Sequence, residues 1–228
     1  DLAPHDDDTG AARALARMVA VLATAAVGAA AAQDYPDRPI RMVIPFAAGG
    51  FSDVVGRIVS QKLSESLGQP VVNDNRPGAS GLIGSEIVAR AVPDGYTLLL
   101  SSFSHVVNPS LLRVPYDSIA DFSPISLIAQ GPALVTMVSP ASSVKMVNDL
   151  IELARGRNRL NFGSSGIGTS GHLIGELLAQ ATGARMEHVP YRGTGASMAA
   201  ILSGEVAMVS AYMPGALPQI ASGRLRSV

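Results

Sequence analysis

Two segments rich in glycine and hydroxyl residues stand where an apolar run gives way to a helical pattern. The longer segment runs from Gly163 to His172 and contains four glycines and four Ser or Thr residues. The shorter segment is Pro45 to Asp53, with the sequence PFAAGGFSD. Glycine lets a backbone turn tightly and approach a ligand closely, and the unpaired N–H groups of a helix N-terminus attract an anion. The sequence therefore predicts two anion-binding loops.

These two loops supply most of the residues that we predict to contact a ligand. Those of the first loop are Ala48, Gly49, Gly50, Phe51, Ser52 and Asp53, and those of the second are Ser164, Ser165, Gly168, Thr169 and Ser170. Ser52 is the expected N-cap of the helix after the first loop. Asp53 is an unfavourable neighbour for an anion, so we expect it to support the first helical turn or to accept a hydrogen bond from a ligand. An ordinary strand–helix turn, whose Ser and Asp only cap their own helix, is the alternative for this loop.

Part of the second loop, Gly166 to Gly171, also matches the GxGxxG pattern of dinucleotide sites, with Glu187 standing 19 residues after Gly168. An enzyme that uses NAD(P) is therefore the alternative function. The position of the loop in mid-chain, its additional hydroxyl groups and the similar loop in the first half favour a small oxygen-rich ligand instead. A hydrolase elbow is excluded at Ser165, because Ile167 stands where GxSxG requires glycine. No catalytic residue is predicted.

Two shorter segments add polar side chains to the predicted site. His188 to Gly195 brings Arg192 and Thr194 just before a helix, and an arginine can hold a carboxylate through two parallel hydrogen bonds. A solvated loop arginine is the alternative. Ser102 and Ser104 follow an apolar run in the first half of the chain, and we expect them to complete the site.

The elements that must position these loops alternate between short apolar runs and longer amphipathic segments. IRMVIPF predicts a buried strand, and a helix from about Ser52 to Leu67 follows it and ends at Gly68. This alternation continues to the end of the chain and predicts an α/β fold with right-handed crossovers and a mainly parallel sheet. Ligands of such sheets lie beyond the carboxyl ends of the strands, which is where all four loops fall.

The strand–helix alternation breaks near Gly131 and Pro132. We predict that a strand at about residues 133–139 crosses between two domains. The predicted organisation is an N-terminal extension over 1–33, domain 1 over 34–134 and domain 2 over 135–228.

Composition excludes several classes of function. The chain of 228 residues is 47% hydrophobic, and its 17 Lys and Arg nearly balance 18 Asp and Glu, so no basic surplus points to nucleic acid. Cysteine is absent, and the four histidines lack the spacing of a metal-binding motif. We therefore predict neither a metal site nor a cofactor.

The first 33 residues have the pattern of a secretory signal peptide. Arg13 and Arg17 precede the apolar run Met18 to Ala32, which ends at a small-residue site before Gln33. This pattern predicts secretion, which the family resemblance described next narrows to the periplasm, and an Ala-rich buried helix is the alternative.

Five segments together resemble a known family. YPDRPIRMVIPFAAGGFSDVVGR, NRPGASGLIG, DGYTLLL, NFGSSGIGTSGHLIGELL and HVPYRGTGASMAAILSGEV occur in this order between residues 35 and 206. They are similar to the periplasmic solute receptors of tripartite tricarboxylate transporters, also called the Bug family. The resemblance implies a two-domain, Venus-flytrap periplasmic-binding-protein fold of the type II kind. It further implies that the loops 47–53 and 164–170 grip a ligand from opposite domains without catalysis.

The resemblance also implies partners. A monomeric receptor of this family binds a small carboxylate, such as a dicarboxylate, tricarboxylate, amino acid or aromatic acid, and delivers it to membrane permease subunits. A sensor or scavenger without a transport partner is a further alternative. The chain departs from the family at Ala48, where proline is usual, and at Ala207 and Ala211, where aspartate is common. It also stops at Val228, where the family continues, so we expect an incomplete domain 2.

Overall fold

The computed structural model describes residues 35–131, 133–156 and 159–228. The predicted signal peptide, residues 1–33, lies outside the described residues. Residues Arg38–Val228 form one compact unit that contains both β-sheets. None of the helices in the described part of the chain has the length and apolar character needed to cross a bilayer.

Eight strands form the two sheets in the described part of the chain. They are β1 (Ile40–Ile44), β2 (Val71–Asn75), β3 (Thr97–Leu99), β4 (Leu134–Val138), β5 (Leu160–Ser164), β6 (Met186–Pro190), β7 (Met208–Tyr212) and β8 (Arg226–Ser227). The first sheet has the order β2-β1-β3 and is parallel. The second has the order β6-β5-β7-β4-β8, in which β4 runs antiparallel to both of its neighbours. The predicted crossing strand is β4, and its reversed direction marks the change of sheet.

Within the residues that the structure describes, seven α-helices connect the strands. They are α1 (Phe51–Leu67), α2 (Leu82–Ala89), α3 (Phe103–Leu111), α4 (Val147–Arg155), α5 (Ser170–Thr182), α6 (Thr194–Ser203) and α7 (Met213–Ala221). A short 3₁₀ turn, Ala79–Gly81, precedes α2. The predicted α/β fold is therefore confirmed, with parallel strands joined by helical crossovers. The boundary between residues 134 and 135 stays a prediction. Below, the N-terminal half means residues 38–131 and the C-terminal half residues 133–228.

One local expectation is wrong. Ser52 is not the N-cap of α1, because the helix begins at Phe51 and its N-cap is Gly50, without a side-chain cap. The helix α3 contains Pro109 and continues past it to Leu111.

Each sheet has its own hydrophobic core. In the first, Ile40, Ile44 and Leu100 pack together beneath α1. In the second, Phe162 is fully buried, and it packs so closely on α5 that a Cβ at Gly175 would overlap its ring. The sheets are therefore firmly packed supports for the loops at their carboxyl ends.

Candidate functional site

The loops at the carboxyl ends of β1, β3, β5, β6 and β7 surround one cleft. Its volume is about 830 Å³, counted to its open mouth. Residues of both halves line it, including Phe51 and Ser102 from the N-terminal half and Thr169 and Arg192 from the C-terminal half.

Five helices begin at this cleft, and four of them can offer N–H groups to it. In the fifth, α7, which follows Tyr212, the Met213 N–H is bonded to the Ala133 carbonyl and Pro214 has no N–H. The N-cap residues of α1, α3, α5 and α6 are Gly50, Ser102, Thr169 and Gly193, and all four line it. No side chain caps any of these helices. The first N–H groups of a helix have no partner within the helix, and together they carry a partial positive charge. The cleft therefore presents unpaired backbone N–H groups from several helix N-termini to an anion.

Arg192 adds a full positive charge. Among the residues that line the cleft within the described part of the chain, it is the only charged one. Its side chain is exposed and forms no ion pair with any described residue. A guanidinium in this state is available to a carboxylate ligand.

The first loop is held in shape by Asp53. This carboxylate is only 2% exposed. It accepts hydrogen bonds from the Gly49 N–H at 3.0 Å and from the Arg57 Nε at 2.9 Å. Burial alone would raise the pKa of Asp53, but the Gly49 N–H and Arg57 hold it below its ordinary value. Asp53 and Gly49 therefore do not line the cleft; they fix the loop, and Gly49 has a φ of +82° that favours glycine.

The second loop is held by a buried network around Ser164. Its Oγ lies 2.7 Å from His188 Nε2 and accepts a hydrogen bond from the Gly166 N–H at 3.0 Å. It also lies 3.0 Å from the Gly166 carbonyl oxygen. Because Ser164 has a single proton, the consistent arrangement has His188 donating to Ser164, which donates to Gly166. Ser164 is fully buried and does not line the cleft, so in this structure it holds the loop in shape.

Gly168 is the fourth predicted ligand residue that does not line the cleft, after Gly49, Asp53 and Ser164. Its N–H donates to His172 Nδ1 at 3.1 Å, which places His172 at the helix start as a structural residue. The Thr169 hydroxyl donates to the Gly166 carbonyl at 2.7 Å. The Gly166 N–H is bonded to Ser164 and the Gly168 N–H to His172, so the donors that this segment leaves for an anion are the first N–H groups of α5.

The remaining predicted residues do line the cleft. They are Ala48, Gly50, Phe51, Ser52, Ser102, Ser104, Ser165, Thr169, Ser170, Arg192 and Thr194. The structure brings them together from four separate loops, but which of them touch a ligand stays a prediction.

The cleft has an aromatic wall, of which Phe51 was predicted from the sequence but Phe46, Phe103 and Tyr212 were missed. The rings of Phe51 and Tyr212 pack with their centroids 5.0 Å apart, and Phe46 and Phe103 also line the cleft. The Tyr212 hydroxyl lies 3.0 Å from Ser170 Oγ. Tyr212 ends β7, so the rule that ligands lie beyond strand carboxyl ends could have found it.

Metal ligands do not cluster in the described residues: no three His, Asp or Glu side chains there lie close enough to hold an ion. Fold and cleft together define the class of solute-binding proteins with a periplasmic-binding-protein fold. The model of the Tripartite tricarboxylate transporter family receptor matches residues 55–228. The chain belongs to this family, which consists of receptors and not of enzymes.

Individual relatives agree with this assignment. Protein BugT of Bordetella pertussis is 39% identical over 221 residues, which cover 95% of this chain and 68% of BugT. Among solved structures, Rpa4515 of R. palustris, with adipate, has a TM-score of 0.81 and 35% identity, covering 85% of this chain and 66% of that one. The periplasmic binding protein BugD has a TM-score of 0.76 and 33% identity, with 85% and 65% coverage. The chain thus spans about two thirds of the length of these relatives.

Proposed function

We propose that this protein is a periplasmic receptor that binds a small carboxylate in the cleft and delivers it to the membrane permease of a tripartite transporter. The observation that carries the proposal is the convergence of four uncapped helix N-termini and Arg192 on one cleft. A carboxylate is the small anion that suits such donors.

The ligand would be held from both halves of the protein. Backbone N–H groups at the starts of α1 and α3 approach it from the N-terminal half, and those of α5 and α6 from the C-terminal half. The hydroxyls of Ser52, Ser165 and Thr194 would complete its hydrogen bonds. Since contacts from both halves are available only when the halves are close, binding favours a closed state that the permease recognises.

Two solved relatives support a carboxylate ligand. Rpa4515 was solved with adipate, and MatC of Rhodopseudomonas palustris, 26% identical and with a TM-score of 0.76, was solved with malate. Nothing among the relatives supports the NAD(P) enzyme that the GxGxxG pattern left open. Residues 1–33 would act as the export signal, and the 34–134 and 135–228 domains would be the parts that close.

Isothermal titration calorimetry tests the proposal. Adipate and malate are titrated into the protein, with NAD⁺ as the comparison ligand, and at least one carboxylate is expected to bind while NAD⁺ does not. Heat from NAD⁺ with none from any carboxylate, 3-phenylpropanoate included, would overturn the proposal.

Arg192→Ala supplies the matched variant. A hydrogen bond to a charged group contributes about 1.5–3 kcal/mol, so the carboxylate should bind about 10- to 100-fold more weakly. Arg224→Ala is the control, because Arg224 is also an exposed arginine of the C-terminal half but lies outside the cleft. If the two variants bound the carboxylate with equal affinity, Arg192 would not be one of the residues that hold the ligand.

A further inference from the structure

Resting on the proposed receptor function, we infer that the ligand of this cleft is an aromatic carboxylate that carries no amino group. Two features of the lining lead to this class of ligand: the aromatic rings that it exposes and the sign of the charge that it presents.

The aromatic rings are concentrated in the cleft. The chain has five Phe, five Tyr and no Trp, and Phe46, Phe51, Phe103 and Tyr212 all line the cleft. Phe103 is 49% exposed there. Neither Phe46 nor Phe103 packs against another ring of the described residues. An exposed ring gains most when a flat apolar group stacks on it.

These rings come from both halves. Phe51 begins α1 and Tyr212 ends β7, and their centroids lie 5.0 Å apart. Phe103 begins α3, beside the N-terminus of that helix. Aromatic surface therefore stands next to the backbone donors, so a ring and its carboxylate can be bound at the same time.

The charge of the lining excludes a ligand ammonium group. Within the residues that the structure describes, no Asp or Glu lines the cleft. Asp53 is the nearest carboxylate in the first loop, and it is buried and bonded to Gly49 and Arg57. An ammonium group would lose its water without gaining an anionic partner, and it would face helix N-termini of the same sign.

The test compares matched ligands by calorimetry. 3-Phenylpropanoate is phenylalanine without its amino group, and 3-cyclohexylpropanoate has the same chain length with a saturated ring. We expect 3-phenylpropanoate to bind about two- to tenfold more tightly than 3-cyclohexylpropanoate, as aromatic pairing predicts. L-Phenylalanine should bind at least about tenfold more weakly, because its ammonium group is left unpaired.

Phe51→Leu tests where the selectivity resides. This change keeps an apolar side chain but removes one ring of the Phe51–Tyr212 pair, so the preference for 3-phenylpropanoate over its cyclohexyl analogue should fall towards one. Phe122→Leu is the control, because Phe122 packs against His105 and Tyr116 outside the cleft. The Phe122→Leu variant should prefer 3-phenylpropanoate over 3-cyclohexylpropanoate as strongly as the unaltered protein does.

Adipate separates this inference from the proposed function. Binding of adipate with no preference for the aromatic acid, or with phenylalanine bound as tightly as 3-phenylpropanoate, would overturn the inference and leave the receptor function standing. If neither adipate nor any of the three matched ligands binds, the receptor function itself fails.

Discussion

Replacing Gly168 with alanine should weaken ligand binding, although Gly168 does not line the cleft. Its φ is +74°, and a Cβ built on it would lie 2.5 Å from Asn108 Oδ1. Asn108 belongs to α3 in the N-terminal half and is only 1% exposed. Its Nδ2 donates to the Ser80 carbonyl at 3.0 Å, so the side chain cannot move away without losing a hydrogen bond.

The expected magnitude has two parts. A left-handed backbone costs an alanine about 1–2 kcal/mol, and this penalty applies in every folded state, so it lowers stability. Displacing Asn108 costs about 0.5–1.5 kcal/mol for its hydrogen bond. This second penalty applies only while the two halves are in contact, so it lowers affinity, by about two- to tenfold.

Gly183→Ala is the matched control, because Gly183 has a φ of +67° but nothing within 4 Å of its would-be Cβ. Both variants should melt at lower temperature, by about 2–4 °C for each kcal/mol. Only Gly168→Ala should also bind adipate more weakly in calorimetry. Equal adipate affinities in the two variants would refute the reasoning, since the contact with Asn108 would then have no part in closure.

Three further predictions concern stability. Burial, aided by a neighbouring histidine, lowers the pKa of folded His188 to about 4, so between pH 6.5 and pH 4 only the unfolded chain takes up the proton. Acidification over this range should therefore lower the free energy of unfolding by roughly 2–3 kcal/mol. His188→Gln should weaken this dependence of the unfolding free energy on pH, as measured by urea denaturation, and an unchanged dependence would contradict the prediction. Asp53→Asn should cost about 1–2 kcal/mol above pH 4, since the first loop loses its charged acceptor. The lowered pKa of Asp53 means that this difference should shrink below pH 4, and a constant difference in urea denaturation would count against it. Gly175→Ala should cost about 1–3 kcal/mol by overpacking the Phe162 ring, measured by urea denaturation, whereas Gly195→Ala, with open space around its Cβ, should stay within about 0.5 kcal/mol of the unaltered protein.

The sequence was sufficient for the class of fold and for the place of the cleft. Apolar runs alternating with amphipathic segments predict parallel strands and helical crossovers. Because ligands of such sheets lie beyond the carboxyl ends of the strands, the polar loops at these ends are predicted to lie around one site. Side-chain direction was harder to predict. Ser164 and Ser165 are neighbours of the same type, yet Ser164 is buried against His188 while Ser165 lines the cleft, because alternate residues at a strand end point to opposite sides.

Residues distant in sequence were missed for a different reason. Tyr212 and Leu134 line the cleft from β7 and β4, and they lie side by side because these strands pair antiparallel with Leu134 opposite Tyr212. A parallel arrangement would have sent the N-terminal end of β4 to the other edge of the sheet. Strand direction is a property of the whole sheet, and the local pattern of an apolar run does not reveal it.

Several glycines of the C-terminal half allow contact with the N-terminal half, in addition to the close approach of an anion that their abundance predicted. Their abundance predicted close contact with an anion, but three of them face residues of the N-terminal half: Gly166 faces Ser80, Gly168 faces Asn108 and Gly193 faces Ala47. All three have positive φ values, and a side chain at Gly166 or Gly168 would overlap its opposite residue. Glycine is therefore required there because it lets the two halves approach each other. The choice of ligand then falls to the side chains around these contacts, which are the aromatic rings, the hydroxyls and Arg192.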